Sequence, residues 1–145
     1  MEKNIKKLTY NTYIISRYTH SFYTRELRKL GISMGQFPFI MHIAEHPACS
    51  QEDIVSGMLI GKSTTAAIIR QLMENGIATR TTDAKDRRLT HLRLTAKGEA
   101  LVPEIEKVIE RCQELITANM SDDEKNALET LLEKLKNQTV EELKN

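Results

Sequence analysis

The sequence predicts a mostly α-helical chain with one small two- to three-stranded β unit, and three observations predict it. Long stretches carry apolar residues at three-, four- and seven-residue steps, the period of a helix face. Chain breakers are sparse, with six Gly and three Pro in 145 residues. One segment alone alternates as a strand should, Leu89 to Leu94, and a charged turn separates it from a shorter strand pattern at Ile77, Ala78 and Thr79.

Residues 4–30 read as one long helix: Leu8, Ile15 and Phe22 recur at seven-residue steps, Ile14, Tyr18 and Phe22 at four-residue steps, and Gly31 ends it. Ser33 is placed to cap a second helix. Its stripe is Phe37, Ile40, Met41 and Ala44, Pro38 lies in the first turn where a missing N–H matters little, and Pro47 stops it. Ser50-Gln51-Glu52-Asp53 has the form of a capping box with Asp in the Glu position, and the short helix it opens should bury Ile54, Val55 and Met58. After the turn Leu59-Ile60-Gly61, a fourth helix runs from Lys62 to Asn75. Thr65, Ile68, Ile69 and Leu72 form its inward stripe, and Lys62, Ser63, Thr64, Ala67 and Arg70 point outward. Gly76 ends that helix and the hairpin follows. Thr95 then starts a long helix to about Ala118, with a kink expected near Glu99 to Pro103 because the proline removes one helical bond. Ser121 and Glu124 form a second capping box for a last helix striped by Leu128, Leu131, Leu132 and Leu135.

The chain is long enough for one domain with its own core. No apolar run approaches the roughly 20 residues of a membrane span, and the N-terminus has no signal-peptide pattern, so no membrane partner and a cytoplasmic location are expected. Cys49 and Cys112 show no metal spacing. The net charge of +1 excludes little, but its distribution is informative. Residues 60–100 hold eight Lys and Arg against four Asp and Glu, whereas residues 101–145 hold six against eleven. An anionic polymer is drawn to the middle of the chain and repelled by its end.

Two short helices joined by a tight turn, the second with a small polar face, form a helix-turn-helix pattern. Beside it stands a hairpin tipped with Lys85, Arg87 and Arg88. A helix start bearing Lys62, Ser63 and Thr64 suits a DNA major groove, where hydroxyls and amides bond phosphates and base edges. Guanidinium groups on a hairpin tip suit the neighbouring minor groove. Candidate DNA-binding residues are therefore Lys62, Ser63, Thr64, Arg70, Lys85, Arg87 and Arg88. Other roles stand beside these: Ser63 or Thr64 can cap the helix, Arg70 can remain solvated, and Asp86 can orient an arginine within the turn.

The element order, the residues Asp86-Arg87-Arg88 and the string Leu94-Thr95-Ala96-Lys97-Gly98 together resemble the MarR family of bacterial and archaeal winged-helix regulators. Lys62-Ser63-Thr64 and Glu74-Asn75-Gly76-Ile77 are similar to that family as well. The resemblance implies a winged helix-turn-helix lobe at residues 33–98 and a helical dimerisation region at residues 1–30 and 99–145. It also implies a homodimer that binds a pseudo-palindromic operator, usually as a repressor released by a small molecule or an oxidant. Many members carry a basic residue in the second turn of the recognition helix where this chain has Ala67, which puts one DNA contact in doubt.

The resemblance further implies an effector pocket beside the DNA-binding lobe, and Tyr13, Arg17, Tyr18 and Phe37 are its candidate lining, with an aromatic or anionic effector. The alternative for each is ordinary core. His42 and His46 have a metal-compatible spacing but no obvious third ligand, so no metal or cofactor is expected. Cys49 precedes a helix start that would favour a thiolate, although the family's hydroperoxide sensors use a cysteine near the start of the first helix, which this chain lacks. With no Gly-rich phosphate loop and no nucleophile elbow, an enzyme is not expected. The competing expectation is a helical dimer that keeps the fold but binds a protein, as an adaptor or antirepressor.

Overall fold

The computed structural model describes residues 2–144, and the side chains of residues 6–144. Met1 and Asn145, the outer limits of the boundaries expected from the sequence, lie outside the described residues. Six helices and one hairpin follow in the order α1 (Glu2–Lys29), α2 (Phe37–Glu45), α3 (Gln51–Met58), α4 (Lys62–Glu74), β1 (Ala78–Thr82), β2 (Thr90–Leu94), α5 (Ala96–Ile116) and α6 (Asp122–Leu143). The chain divides into two compact units, residues 1–110 and 111–145, with the division inside α5.

In the first unit the core is built from Leu27, Ile32, Phe39, Ile40, Ile43, Ile54, Ile69, Leu72, Ile77, Leu92 and Ile105, all nearly inaccessible. Every helix from α1 to α5 and both strand segments contribute to it. The ends of these helices show why they stop where they do. At the end of α1, Gly31 takes φ +75°. The Ile32 amide donates to the Leu27 carbonyl (3.2 Å) and the Gly31 amide to the Arg28 carbonyl (3.0 Å). This double reversal needs a residue without a Cβ penalty, and it folds buried Ile32 back onto buried Leu27. The Ser50–Asp53 capping box forms as expected: Ser50 Oγ accepts from the Asp53 amide at 3.0 Å, and Asp53 Oδ2 from the Ser50 amide at 2.7 Å. Ser121 and Glu124 do the same for α6.

Two expectations for α2 are corrected. Ser33 does not cap it. Its carbonyl closes a preceding turn by accepting from Gln36, and its amide donates to the buried Gln36 Oε1 at 2.9 Å. The helix starts only at Phe37, and its buried stripe is Phe39, Ile40 and Ile43. Phe37 and Met41 are only partly covered. Phe39, two residues into the helix, takes the deep position.

The strands pair antiparallel, Ala78 with Leu94 through Thr82 with Thr90. A third backbone segment joins them: the Ala48 amide donates to the Leu92 carbonyl (2.9 Å) and the Leu92 amide to the Cys49 carbonyl (2.8 Å). The base of the hairpin is therefore hydrogen-bonded to the chain entering α3.

Thr95 and Gly98 fasten α5 to the end of α4. The Thr95 hydroxyl donates to the Gly76 carbonyl (2.6 Å) and accepts from the Gly98 amide (3.2 Å), capping α5. Lys97 Nζ donates to the Asn75 carbonyl at 2.8 Å, and the Thr95 amide to the Ile77 carbonyl at 3.0 Å. Gly98 is buried against the Ile77 carbonyl oxygen, and a Cβ there would overlap that oxygen and press on Leu94 Cβ. α5 then runs unbroken through Pro103.

In the second unit, α6 has no buried residue. Leu131 and Leu132 are 62% and 51% exposed, and Leu115 and Ile116 at the end of α5 are 60% and 57% exposed.

The close packing at Gly98 makes a direct prediction. Gly98→Ala should destabilise the chain by about 1–3 kcal/mol, because the opposing atom is backbone and cannot rotate away. Urea unfolding followed by circular dichroism checks it, and an unchanged midpoint would refute the packing account.

Candidate nucleic-acid interface

The interface begins with the chain's inability to continue α3. Leu59 takes a left-handed conformation (φ 55°) and Gly61 an extended one (φ −61°, ψ 151°) before α4 starts. No side chain caps α4; the first turn closes by the Thr65 amide donating to the Gly61 carbonyl at 3.0 Å. Ser63 and Thr64 thus do not cap the helix. They are exposed with Lys62, and the helix start offers open amide donors and positive dipole beside two hydroxyls.

The buried side of α4 is Thr65, Ile69 and Leu72, with Ile68 partly covered. Arg70 is exposed as expected. Ala67 is partly buried, and its neighbour Ala66 is exposed instead. The outer stripe is therefore Ser63, Ala66 and Arg70, and the missing basic residue at Ala67 stands beside the outer face rather than at its centre. Thr65 is fully buried, and its Oγ1 has no hydrogen-bond partner among the described residues. It belongs to the core.

The hairpin tip carries Lys85, Arg87 and Arg88, all exposed. Asp83, not singled out by its sequence pattern, organises this tip. Asp83 Oδ1 accepts from the amides of Lys85 (2.7 Å) and Asp86 (3.0 Å), and Oδ2 faces His91 Nε2 at 3.0 Å. The His91 bond, then the two amide bonds, hold the Asp83 carboxyl at about 2, well below the usual carboxylate range. Asp86 accepts from the Arg88 amide at 3.0 Å, so it shapes the Arg88 backbone. Asp followed two or three residues later by a turn is a recognisable turn signal, and Asp83-Ala84-Lys85-Asp86 carried it. Arg80, also unanticipated, is exposed on β1 and donates to Gln51 Oε1 at 3.2 Å, linking the wing to the start of α3.

The four candidate effector residues do not gather around one point in the first unit. Phe37 stacks on Tyr23 with centroids 5.6 Å apart. Tyr13 lies ten residues before Tyr23, about 15 Å along the helix axis. Tyr13 and Tyr18 are 60% and 64% exposed, and the Arg17 guanidinium sits 5.5 Å from the Tyr18 ring centre. Arg17 also lines a basic cleft of about 460 Å³ with His20, Ser21, Thr24, Arg25 and Arg28.

Cys49 is 6% exposed. Burial, then the Asp53 carboxylate, pushes its thiol up, against the thiolate expected from its place before a helix. Burial, then His46, pushes His42 down. No group of three or more metal-ligating side chains is present among the described residues, and no described helix is long and apolar enough to cross a membrane.

A sequence profile described as the MarR family matches residues 30–89. The HTH-type transcriptional regulator BilQ of Clostridium symbiosum is 31% identical over 114 residues, which is 79% of each chain. A MarR transcriptional regulator from Methanosarcina mazei superposes with a TM-score of 0.81 at 28% identity, covering 97% of this chain and 99% of that one. A MarR family regulator from Listeria monocytogenes, solved in complex with 26mer DNA, gives a TM-score of 0.84 at 25% identity over 92% and 89% of the two chains.

The inward placement of Thr65 is open to test. Thr65→Val keeps the shape and removes a buried hydroxyl without a partner, so thermal or urea unfolding should show a gain of about 1 kcal/mol. A loss of similar size would mean that the hydroxyl is satisfied in solution.

Proposed function

This chain belongs to the MarR family of transcriptional regulators, and from that premise we propose that it is a homodimeric repressor that binds a pseudo-palindromic operator in double-stranded DNA and is released by a small molecule. The observation that carries the DNA part is the pairing of two features on one compact unit: an uncapped α4 start with exposed Lys62, Ser63 and Thr64, and a hairpin whose exposed tip presents Lys85, Arg87 and Arg88. α4 is the element for the major groove and the hairpin the element for the minor groove. Arg70, two turns along α4, is a phosphate contact. Residues 33–98 act as the DNA-binding lobe, and residues 1–30 and 99–145 as the dimerisation region. The work is recognition and not catalysis.

Exposed apolar surface supports the dimer. Leu8, Tyr10, Tyr13 and Ile15 on α1 are each more than half exposed, as are Leu131 and Leu132 on α6. Faces of this kind are covered in stable proteins by another surface. A second copy also supplies the second half-site reader about one duplex turn away. For the effector, an anionic or aromatic molecule is the reading, with Arg17 as the charge partner. Such a ligand lowers operator affinity by preferring a different spacing of the two lobes, a coupling of roughly 1–3 kcal/mol.

Two experiments test this reading. Arg87→Ala or Arg88→Ala should weaken binding to DNA from upstream of the gene by about 5- to 30-fold and lower the salt dependence by about one ion, with thermal stability unchanged. Fluorescence anisotropy at several salt concentrations measures both. Binding by the wild type that ignores both substitutions would shift weight to the protein-adaptor alternative, which the acidic residues 101–145 favour. Leu132→Glu should turn a dimer into monomers in sedimentation velocity, and an unaltered sedimentation coefficient would remove α6 from the interface.

A further inference from the structure

His91 has acceptors at both ring nitrogens. Nε2 lies 3.0 Å from the Asp83 carboxylate and Nδ1 lies 3.1 Å from the Ala48 carbonyl oxygen. A neutral imidazole carries one N–H and can satisfy only one of them, whereas the imidazolium satisfies both. The two acceptors belong to different parts of the lobe. Asp83 is the residue that folds the hairpin tip, and Ala48 belongs to the segment entering α3 that is bridged to Leu92.

We propose that His91 is a positioning residue for the wing, whose imidazolium form ties the tip that carries Arg87 and Arg88 to the helix-turn-helix. The inference rests on the DNA reading above and adds a proton to it: the chain binds DNA more tightly when His91 is charged. Deprotonation breaks one of the two bonds, releases the tip from the α3 segment, and leaves the arginines to be ordered by DNA itself, which weakens binding.

The charged groups acting on the ring are Asp83, across the hairpin, and Arg93, two residues along the same strand. The hydrogen bond to Asp83 and then the one to Ala48 raise the affinity of the ring for its proton, and partial desolvation and then Arg93 oppose them. The sign follows from this direction. A raised value in the folded wing means that the contribution is complete below the ordinary histidine range of about 6.5 and is lost as pH climbs through the elevated value.

The test uses the full chain in two arms. In the first, imidazole NMR follows His91 without DNA. Its midpoint should lie above that of an ordinary histidine, both ring nitrogens should be protonated at about pH 6, and Asp83→Asn should lower the midpoint. Asparagine retains an acceptor for the Lys85 and Asp86 amides but removes the carboxylate. An ordinary or lowered midpoint, or one that Asp83→Asn leaves in place, would overturn the proposal whether or not the chain binds DNA. The second arm measures operator affinity from about pH 6 to about pH 9 for wild type and His91→Gln. The wild type should lose roughly 3- to 10-fold more affinity over that range than His91→Gln, which keeps the other three histidines. Equal pH profiles in two proteins that both bind DNA would overturn the proposal while leaving the DNA reading intact. Should His91→Gln fail to fold, Asp83→Asn takes its place in this arm, with the same flattened profile expected.

Discussion

The lobe depends on one close approach, the start of α5 against the backbone at the end of α4. Gly98 makes it sterically possible and Thr95 fixes it, because a single hydroxyl bonds the Gly76 carbonyl while capping its own helix. Lys97 adds a charge-assisted bond at the Asn75 carbonyl, where the α4 dipole is negative. The residues between, Ile77 and Leu94, lie at the root of the hairpin. The direction of the wing relative to α4 is therefore set by a junction of about five residues. The string Leu94-Thr95-Ala96-Lys97-Gly98, which first suggested the family, is in this light an architectural signature.

Charge is arranged in the same economical way. Lys85, Arg87 and Arg88 are left without carboxylate partners among the described residues, while Asp83 and Asp86 point their oxygens at backbone amides. Carboxylates bound to amides shape the turn without pairing with the guanidinium groups it displays.

How much of this was legible before the structure depended on whether the signal was local. Helix periods, both capping boxes and the positive-φ glycines Gly31 and Gly76 are written within a few residues and could be read directly. The exposure of Lys62, Ser63, Thr64 and Arg70 followed from the helical period. What escaped was mostly contact between distant segments. The Ala48–Leu92 bridge joins residues far apart in sequence, so the anchor for His91 is invisible from local pattern. In α2 both the period and the flanking residues left Phe37 and Phe39 as competing core positions, and the packing chose Phe39. Cys49 differs from expectation for a related reason: its place before α3 is local, whereas its burial, which raises the thiol, accompanies a bridge to Leu92, 43 residues away.

The hairpin has a fixed base and a tip whose outward side chains are free of the core. Its base is hydrogen-bonded on both sides, to Cys49 and to the α5 junction, while the side chains of Ala84, Lys85, Arg87 and Arg88 touch no core. Substitutions among those four change stability by roughly 0.5 kcal/mol or less, yet they change the surface offered outward. Descendants of this sequence can thus drift in what they bind without crossing a valley of misfolded intermediates, and paralogues that share the lobe are free to diverge first at its fingertip.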